Sequence, residues 1–237
     1  MIVFDGITLE SVAPVKIEDI RVSPIKYNPI TRPRAIRFGS EFVRMGGGER
    51  TVAVTFALPV MNNVVRNEHM TNIRSWAKSD AEYILELPID PLRYLKCVCT
   101  AKPEPSTRQW WESKLRLVFT CFSDPYWISK AEKGATCGTQ FVALGDAPPL
   151  MKITRTVSGS AASNQSYALD GRTMTFSTIP IGSMTIDVNN QTAFSIKNNA
   201  ITDLMQYYQP SGSFIIPRTG AQTISGTGSV LYRERWE

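Results

Sequence analysis

Groups that carry enzyme chemistry are scarce in this chain of 237 residues. It has one histidine, His69, and no G-x-S-x-G or comparable nucleophile motif. A Ser-His-Asp or Cys-His site would have to use that histidine. The residue falls on the apolar side of a helical pattern with Val65 and Ile73, which favours a packed side chain over a catalytic base. We therefore expect a non-enzymatic protein with no catalytic residues and no cofactor.

Cysteine is also rare, and its spacing does not fit a metal site. The chain has four cysteines, Cys97, Cys99, Cys121 and Cys137. A zinc knuckle usually presents pairs of C-x₂₋₄-C on turns, whereas Cys97 and Cys99 lie two residues apart on a predicted strand and the other two are single. We expect no metal site, and buried, reduced thiols rather than disulfides.

Long hydrophobic runs are absent as well. No stretch of 18 apolar residues occurs, so we expect no membrane span. The first residues lack the basic and long apolar regions of a secretory signal, so we expect synthesis and retention in a cytosol. The length suits two domains, and 43% apolar with 20% charged residues is ordinary globular composition.

Positive charge is present and unevenly placed. The chain carries a net charge of +5, and the excess of basic residues in segment 21–50 equals that whole value. Its two acids are Glu41 and Glu49. We expect a protein interface or a solvated face here rather than direct nucleic-acid binding. The candidate assembly or channel surface consists of Arg21, Lys26, Arg32, Arg34, Arg37, Arg44 and Arg50.

The first half of the chain has the pattern of β-structure with one helix. Residues 35–45 and 49–58 alternate apolar and polar positions, and the intervening glycines, residues 46–48, predict a hairpin turn. Residues 62–79 predict the helix, with Asn62 or Asn63 as its cap. Its apolar face is formed by Val65, His69, Ile73 and Trp76.

The second half is a series of short strands separated by Ser, Gly and Asn turns, which is typical of an antiparallel β-sandwich. We include residues 213–217 among these strands. The predicted division is a β-rich domain with one helix over residues 1–130, a linker or domain-entry segment over 131–149, and a β-sandwich over 150–237.

Two aromatic pairs are candidates for surface contacts. Trp110 and Trp111 follow a proline-containing loop, and they are either interface anchors or a local cluster beneath that loop. Sugar-binding platforms usually need an exposed aromatic ring, and Tyr207 with Tyr208 is the candidate in the second half. Glycan binding therefore depends on whether those two rings are exposed.

The order of segments resembles the distal tail protein (Dit) family of long, flexible-tailed bacteriophages. The first half contributes EFVRMGGGERTVAVTFALP, a helix, and a strand ending in LVFTCFSDPYW. The second half contributes GSMTIDVNNQTAFSI, SGSFIIPRTGAQTIS and a final VLYRERWE. This likeness extends over nearly the whole chain, and the order of the segments carries it.

The resemblance implies a structural protein that forms a hexameric ring at the tail tip, with ring-forming N-terminal domains and C-terminal sandwiches of galectin-like or carbohydrate-module-like shape. It implies contacts with the major tail tube protein, the tail-associated hub protein and possible tape-measure and receptor-binding proteins, and passage of DNA. The implied location is the virion tail tip, after synthesis in the bacterial cytoplasm. The alternatives are a carbohydrate-binding adhesion module and a tail-tube protein.

Overall fold

A computed structural model describes residues 1–33, 40–59, 62–103, 114–209 and 213–237, with the side chains of 28–33 and 40–47 outside the description. The chain divides into two compact units, residues 1–127 with Glu237, and residues 128–236. The protein is mainly β, as the sequence predicts, with large antiparallel sheets in both units. None of the described helices is long and apolar enough to cross a membrane.

The N-terminal unit is a chain of antiparallel strands in the order β3–β5–β8–β7–β6–β1–β2, and β4 pairs with the first half of β5. The register places Val54 of β5 between Ile20 of β3 and Leu117 of β8. The elements are β1 (Val3–Phe4), β2 (Ile7–Thr8), α1 (Leu9–Val12), β3 (Lys16–Val22), β4 (Lys26–Pro33), β5 (Ser40–Ala57), α2 (Asn63–Trp76), β6 (Tyr83–Leu87), β7 (Asp90–Ala101) and β8 (Lys114–Cys121).

The hairpin predicted at glycines 46–48 is wrong. Strand β5 runs straight through them, and its partner in the hairpin is β4. Gly48 lies opposite Tyr27, and a Cβ atom at Gly48 would overlap the side chain of Ile25. Gly48 therefore leaves room for the side chains that pack over the strand, and it does not form a turn. Residues 34–39, which connect β4 to β5, lie outside the described residues.

Helix α2 confirms the predicted helix and shows which cap it uses. The side chain of Asn62 accepts a hydrogen bond from the Val65 backbone N–H at 2.9 Å. Its buried face differs from the prediction, because Arg66 and Met70 are buried whereas Val65 is exposed and His69 half-buried. A second helix, α1, has only four residues, too few to give a periodic signal in the sequence.

An aromatic cluster forms the centre of the N-terminal core. The Trp76 ring, at the end of α2, lies 5.6 Å from the ring of Phe4 and 6.2 Å from that of Phe119 between centroids. The Trp76 indole N–H donates to the backbone carbonyl of Ile7 at 3.0 Å, so its one polar atom is satisfied within the core. Helix α2 is thereby fixed against strands β1 and β8.

The C-terminal unit is an antiparallel sandwich. One layer is a sheet in the order β17–β16–β15–β12–β19–β10, and the other consists of the pairs β13–β14 and β11–β18. A short β9 (Trp127–Ser129) lies at the division between the units. The other elements are β10 (Lys133–Thr136), β11 (Gln140–Ala143), β12 (Ala147–Val157), β13 (Ala162–Leu169), β14 (Arg172–Ile179), β15 (Gly182–Asp187), β16 (Thr192–Lys197), β17 (Ala200–Asp203), a 3₁₀ turn (Met205–Tyr207), β18 (Gly220–Thr223) and β19 (Ser229–Trp236).

Both layers of the sandwich contribute apolar side chains to one core. Ile153 and Ile186 come from the larger sheet, and Tyr167, Met174 and Phe176 come from the β13–β14 hairpin. The segment expected as a linker or domain-entry segment, residues 131–149, contains β10, β11 and the start of β12. Residues 213–217 are not a strand, although Phe214 and Ile215 are buried, so that prediction is wrong. Apolar burial without ladder pairing explains the strand-like pattern there.

Candidate assembly surface

The outward face of strands β3, β5 and β8 carries five charged side chains around a cavity. Alternate residues of β5, such as Val52 and Val54, point into the core, so Ala53 and Thr55 face outward. Two acidic and three basic side chains join them around a cavity of about 520 Å³. The charged members are Glu18, Asp19, Arg21, Lys114 and Arg116.

Ion pairing within this face is incomplete. Arg21 Nε lies 2.6 Å from an Asp19 carboxylate oxygen, and Lys114 Nζ lies 3.4 Å from one of Glu18. Arg116 has no ion-pair partner among the described residues. Both pairs are substantially exposed, so each contributes little to the stability of the fold. The face therefore keeps an excess cation that a carboxylate on another protein can pair with.

Strand β3 also has an open edge. Among the described residues it pairs only with β5. The Ser23 N–H donates to the Thr51 carbonyl at 2.9 Å, which identifies Ser23 and Thr51 as a hydrogen-bonded pair of the antiparallel ladder. Because such pairs alternate, Ile20 and Val22 direct their backbone N–H and C=O groups away from β5. An unpaired row of this kind is a template for another strand.

The basic candidates in the described part of the chain lie on several strands of the N-terminal unit. Arg21 lies on the charged face just described, and Lys26 is exposed at the start of β4, opposite Glu49. Arg32 and Arg44 lie on the β4–β5 hairpin, opposite Glu41 and Ile30 respectively. Arg34 and Arg37 fall outside the described residues. Among these cross-strand pairs, Lys26 and Glu49 have described side chains, and their positions place opposite charges side by side.

Arg50 is a buried residue rather than a surface one. It is 3% exposed, and its Nε and one terminal nitrogen have no hydrogen-bond partner in the described part of the chain. Burial lowers the pKa of its guanidinium, although Cys121, Glu237 and two tyrosines raise it in part. Its position could have been predicted, because Arg50 shares the period-two phase of buried Val52 and Val54.

A tyrosine pair lies near Arg50. The hydroxyls of Tyr27, on β4, and Tyr126 are 3.0 Å apart. This hydrogen bond, together with burial, raises the pKa of Tyr27 to about 12. The pair links the hairpin strand β4 to the segment that follows β8, so it helps to fix the base of the hairpin.

The two tyrosine candidates, Tyr207 and Tyr208, are half-buried against the core of the C-terminal unit. The ring of Tyr208 lies 5.8 Å from that of Phe176 and 5.2 Å from that of Phe214, and the Tyr207 side chain packs against the same core. Glycan binding at these two rings stays a prediction. Trp110 and Trp111 lie outside the described residues.

The cysteines are free, and no cluster of metal-ligating side chains occurs in the described part of the chain. Cys97, Cys99 and Cys121 are buried, and burial raises the pKa of the Cys99 thiol. The pKa of Cys97 is raised by a hydrogen bond with Cys121 and by burial. Thiols in this protonated state are poor nucleophiles.

Comparison with known proteins gives a structural likeness and no sequence match. No protein-family model and no curated protein matches the chain. The crystal structure of the Dit protein (gp 19.1) of phage SPP1, described as a paradigm of the hub adsorption apparatus in phages that infect Gram-positive bacteria, matches with a TM-score of 0.74 at 15% identity. The match covers 100% of this chain and 98% of that one.

Two structures of the phage P2 baseplate in its activated conformation, one with calcium and one with strontium, match at TM-scores of 0.45 and 0.44. Each is 8% identical and covers 93% of this chain and 90% of that one. These two scores are too low to establish a common fold, so the fold assignment rests on the SPP1 protein. Over its whole length, this chain has the fold of a phage Dit protein.

Proposed function

We propose that this chain is a structural hub protein of a phage tail tip. The observation that carries the proposal is the full-length likeness to SPP1 Dit, which includes both units and not a single common domain. In this proposal six copies form a ring that joins the tail tube to the tail-associated hub protein and the host-adsorption apparatus, and DNA passes through the ring.

The free edge of β3 supports ring formation by the N-terminal unit. Six copies in a closed ring can each pair β3 with a strand of the next copy, which leaves no edge open. The charged face beside this edge offers a cation to a neighbouring carboxylate, because Arg116 has no ion-pair partner within the described ranges. The basic residues of the β4–β5 hairpin, by this proposal, contribute to the same assembly surface.

A matched pair of substitutions at Val22 tests this mode of assembly. Val22→Pro removes an N–H that faces the open edge and spares the hydrogen bonds to β5. Val22→Ala removes more of the side chain than proline does and keeps the N–H, so it controls for the loss of side-chain packing. We expect the alanine variant to form rings in negative-stain images and the proline variant to remain monomeric with a cooperative unfolding transition.

Rings formed by both variants would refute pairing through β3 while leaving the hub proposal intact. Long open polymers of the unmodified chain would instead identify a tail-tube protein, because a tube protein stacks its rings without limit. Circular dichroism shows whether the Val22→Pro chain is folded. If it is unfolded, Ile20→Pro provides the test, because the backbone N–H of Ile20 also faces the open edge.

A further inference from the structure

The edge strand of the C-terminal sheet, β17, has the features of a docking site for an extended peptide. Among the described residues it pairs only with β16, and the two strands form a hairpin. Asn198 and Asn199 make the turn, with φ of 49° and 64°. Two successive left-handed residues are typical of a type I′ turn, which fixes the register of the hairpin.

The hairpin register determines which backbone groups face outward. Lys197 and Ala200 flank the two-residue turn and form a hydrogen-bonded pair. The alternation agrees at the other end, where the Leu204 N–H donates to the Ala193 carbonyl at 2.9 Å. Ile201, between these pairs, therefore directs both its N–H and its C=O to the open edge.

Asp203 is the second outward-directed residue, and only part of it is available. Its carbonyl accepts a hydrogen bond from the side chain of Gln206 at 2.7 Å, which blocks that acceptor. Its N–H remains directed to the edge. The open edge thus offers one donor and one acceptor at Ile201 and a further donor at Asp203.

The side chains beside this edge are unusually apolar for a solvent-facing surface. Ile201 is 72% exposed, and its cross-strand neighbour Ile196 is 39% exposed on the same face. A cavity of about 340 Å³ adjoins them, lined by Thr192, Ala193, Phe194, Ile201, Asp203 and Met205. This volume lies at the lower end of the range for ligand sites, which suits one large side chain better than a whole small molecule.

Charge identifies the kind of occupant. The Asp203 carboxylate is the one ionisable group that lines the cavity, and no described cation pairs with it. Self-pairing of β17 with a second copy about Ile201 would place Asp203 opposite Asn199, so the carboxylate would have no positive partner. A different chain with a basic residue at that position satisfies both the edge and the charge.

We propose that β17 binds an extended segment of another protein as an added antiparallel strand, with a large apolar side chain beside Ile201 and a lysine or arginine two residues earlier, beside Asp203. Main-chain hydrogen bonds supply the pairing, and the two alternate side chains supply the selectivity. This site lies entirely within the C-terminal unit and does not depend on ring formation.

The test uses the full chain and a fluorescein-labelled peptide, Ser-Thr-Lys-Thr-Ile-Thr-Ser, followed by fluorescence anisotropy. In antiparallel pairing the peptide isoleucine exchanges both backbone hydrogen bonds with Ile201. N-methylation of that isoleucine should weaken binding about tenfold. N-methylation of the threonine after it, whose N–H faces away from β17, should change binding by less than about twofold.

Two substitutions in the protein test the side chains. Ile201→Thr should weaken binding about tenfold, whereas Ile89→Thr, at an exposed isoleucine of the N-terminal unit, should leave it unchanged. The unmodified protein should prefer the lysine peptide over its glutamate counterpart about threefold. Asp203→Asn should remove that preference while it still accepts the hydrogen bond from the Met205 N–H.

Equal effects of the two N-methyl groups would overturn the proposal, and so would a lack of binding by the unmodified chain. If Ile201→Thr changes the oligomeric state and no peptide binds, a second copy is the occupant and the proposal is wrong. Ile201 is exposed, so the threonine variant should retain its melting temperature, which circular dichroism verifies before the titrations.

Discussion

Replacing Arg50 by methionine should stabilise the isolated chain. Arg50 is buried among strands of the N-terminal unit, and two of its nitrogens have no hydrogen-bond partner among the residues that the structure describes. A buried donor without a partner costs roughly 1–3 kcal/mol, and replacing buried charged groups by well-packed apolar residues is often stabilising. Methionine keeps a flexible, unbranched stem of similar reach and removes both donors.

We expect a gain of about 2 kcal/mol in the free energy of unfolding, near the middle of the range for removal of buried unpaired donors. The attraction of the Glu237 carboxylate reduces the gain, but burial outweighs that attraction, as the lowered pKa of Arg50 shows. Urea unfolding followed by circular dichroism measures the change, at a concentration at which the chain is monomeric.

Arg21→Met is the matched control for this experiment. Arg21 lies in the same basic segment, but its side chain is exposed, and among the described residues it pairs only with the exposed Asp19. We expect a change within about 0.5 kcal/mol there. A loss of more than about 1 kcal/mol in the Arg50 variant would refute the reasoning, because it would mean that the guanidinium is satisfied in the folded chain.

Three further substitutions test other parts of the fold. Burial raises the pKa of Glu82, but its hydrogen bonds from the backbone and hydroxyl of Ser123 and from the backbone of Phe122 hold the pKa below the ordinary value. The ionised Glu82 carboxylate therefore stabilises the folded chain at a pH above its pKa in the unfolded chain. This stabilisation is lost as the pH falls through the pKa of Glu82 in the folded chain. Glu82→Gln should lower the free energy of unfolding by about 1–2 kcal/mol at neutral pH and by less at acidic pH. The exposed control Glu68→Gln should change it by near zero. A loss for Glu82→Gln that does not vary with pH in urea unfolding would contradict this reasoning. Asn62→Ala should cost about 1 kcal/mol by the same measurement because the cap of α2 is lost, and an unchanged stability would exclude that role. Gly48→Val should lower the free energy of unfolding by about 1–3 kcal/mol through overpacking, and with it the melting temperature. Gly134→Ala should be tolerated, because its added Cβ would approach neighbouring atoms no closer than 3.6 Å.

Local patterns in the sequence predict much of this fold because local physics produces them. The cap at Asn62 and the helix after it follow from side-chain chemistry and helical spacing. The turn at Asp170 and Gly171 has φ of 52° and 77°, as expected for residues that tolerate left-handed backbone. The alternation of Leu115 and Leu117 likewise matches their burial in β8.

The errors arise where a distant part of the chain decides the structure. Glycines 46–48 have the composition of a turn, but Tyr27 and Ile25 cover Gly48 and make it part of a strand. The buried side of α2 is set by the strands beneath it, which favours Met70 over His69. Helical spacing alone permits both faces.

The candidate surfaces were the least predictable part. The open edges of β3 and β17 depend on which strands pair across the sheet, and no local pattern specifies that pairing. The basic segment was visible in the sequence, but the acids opposite Lys26 and Arg32 appear only in the register of the hairpin. The resemblance to Dit proteins rests on the order of segments, and that order corresponds to the full-length structural likeness.

Mass photometry of the purified chain, with negative-stain images of the same sample, tests the proposed tail-tip hub most directly. A ring of six 26.4 kDa chains has a mass of about 158 kDa and should appear as a closed particle with six-fold symmetry and a central opening. A monomer at every concentration, or an open polymer of increasing length, would contradict the account.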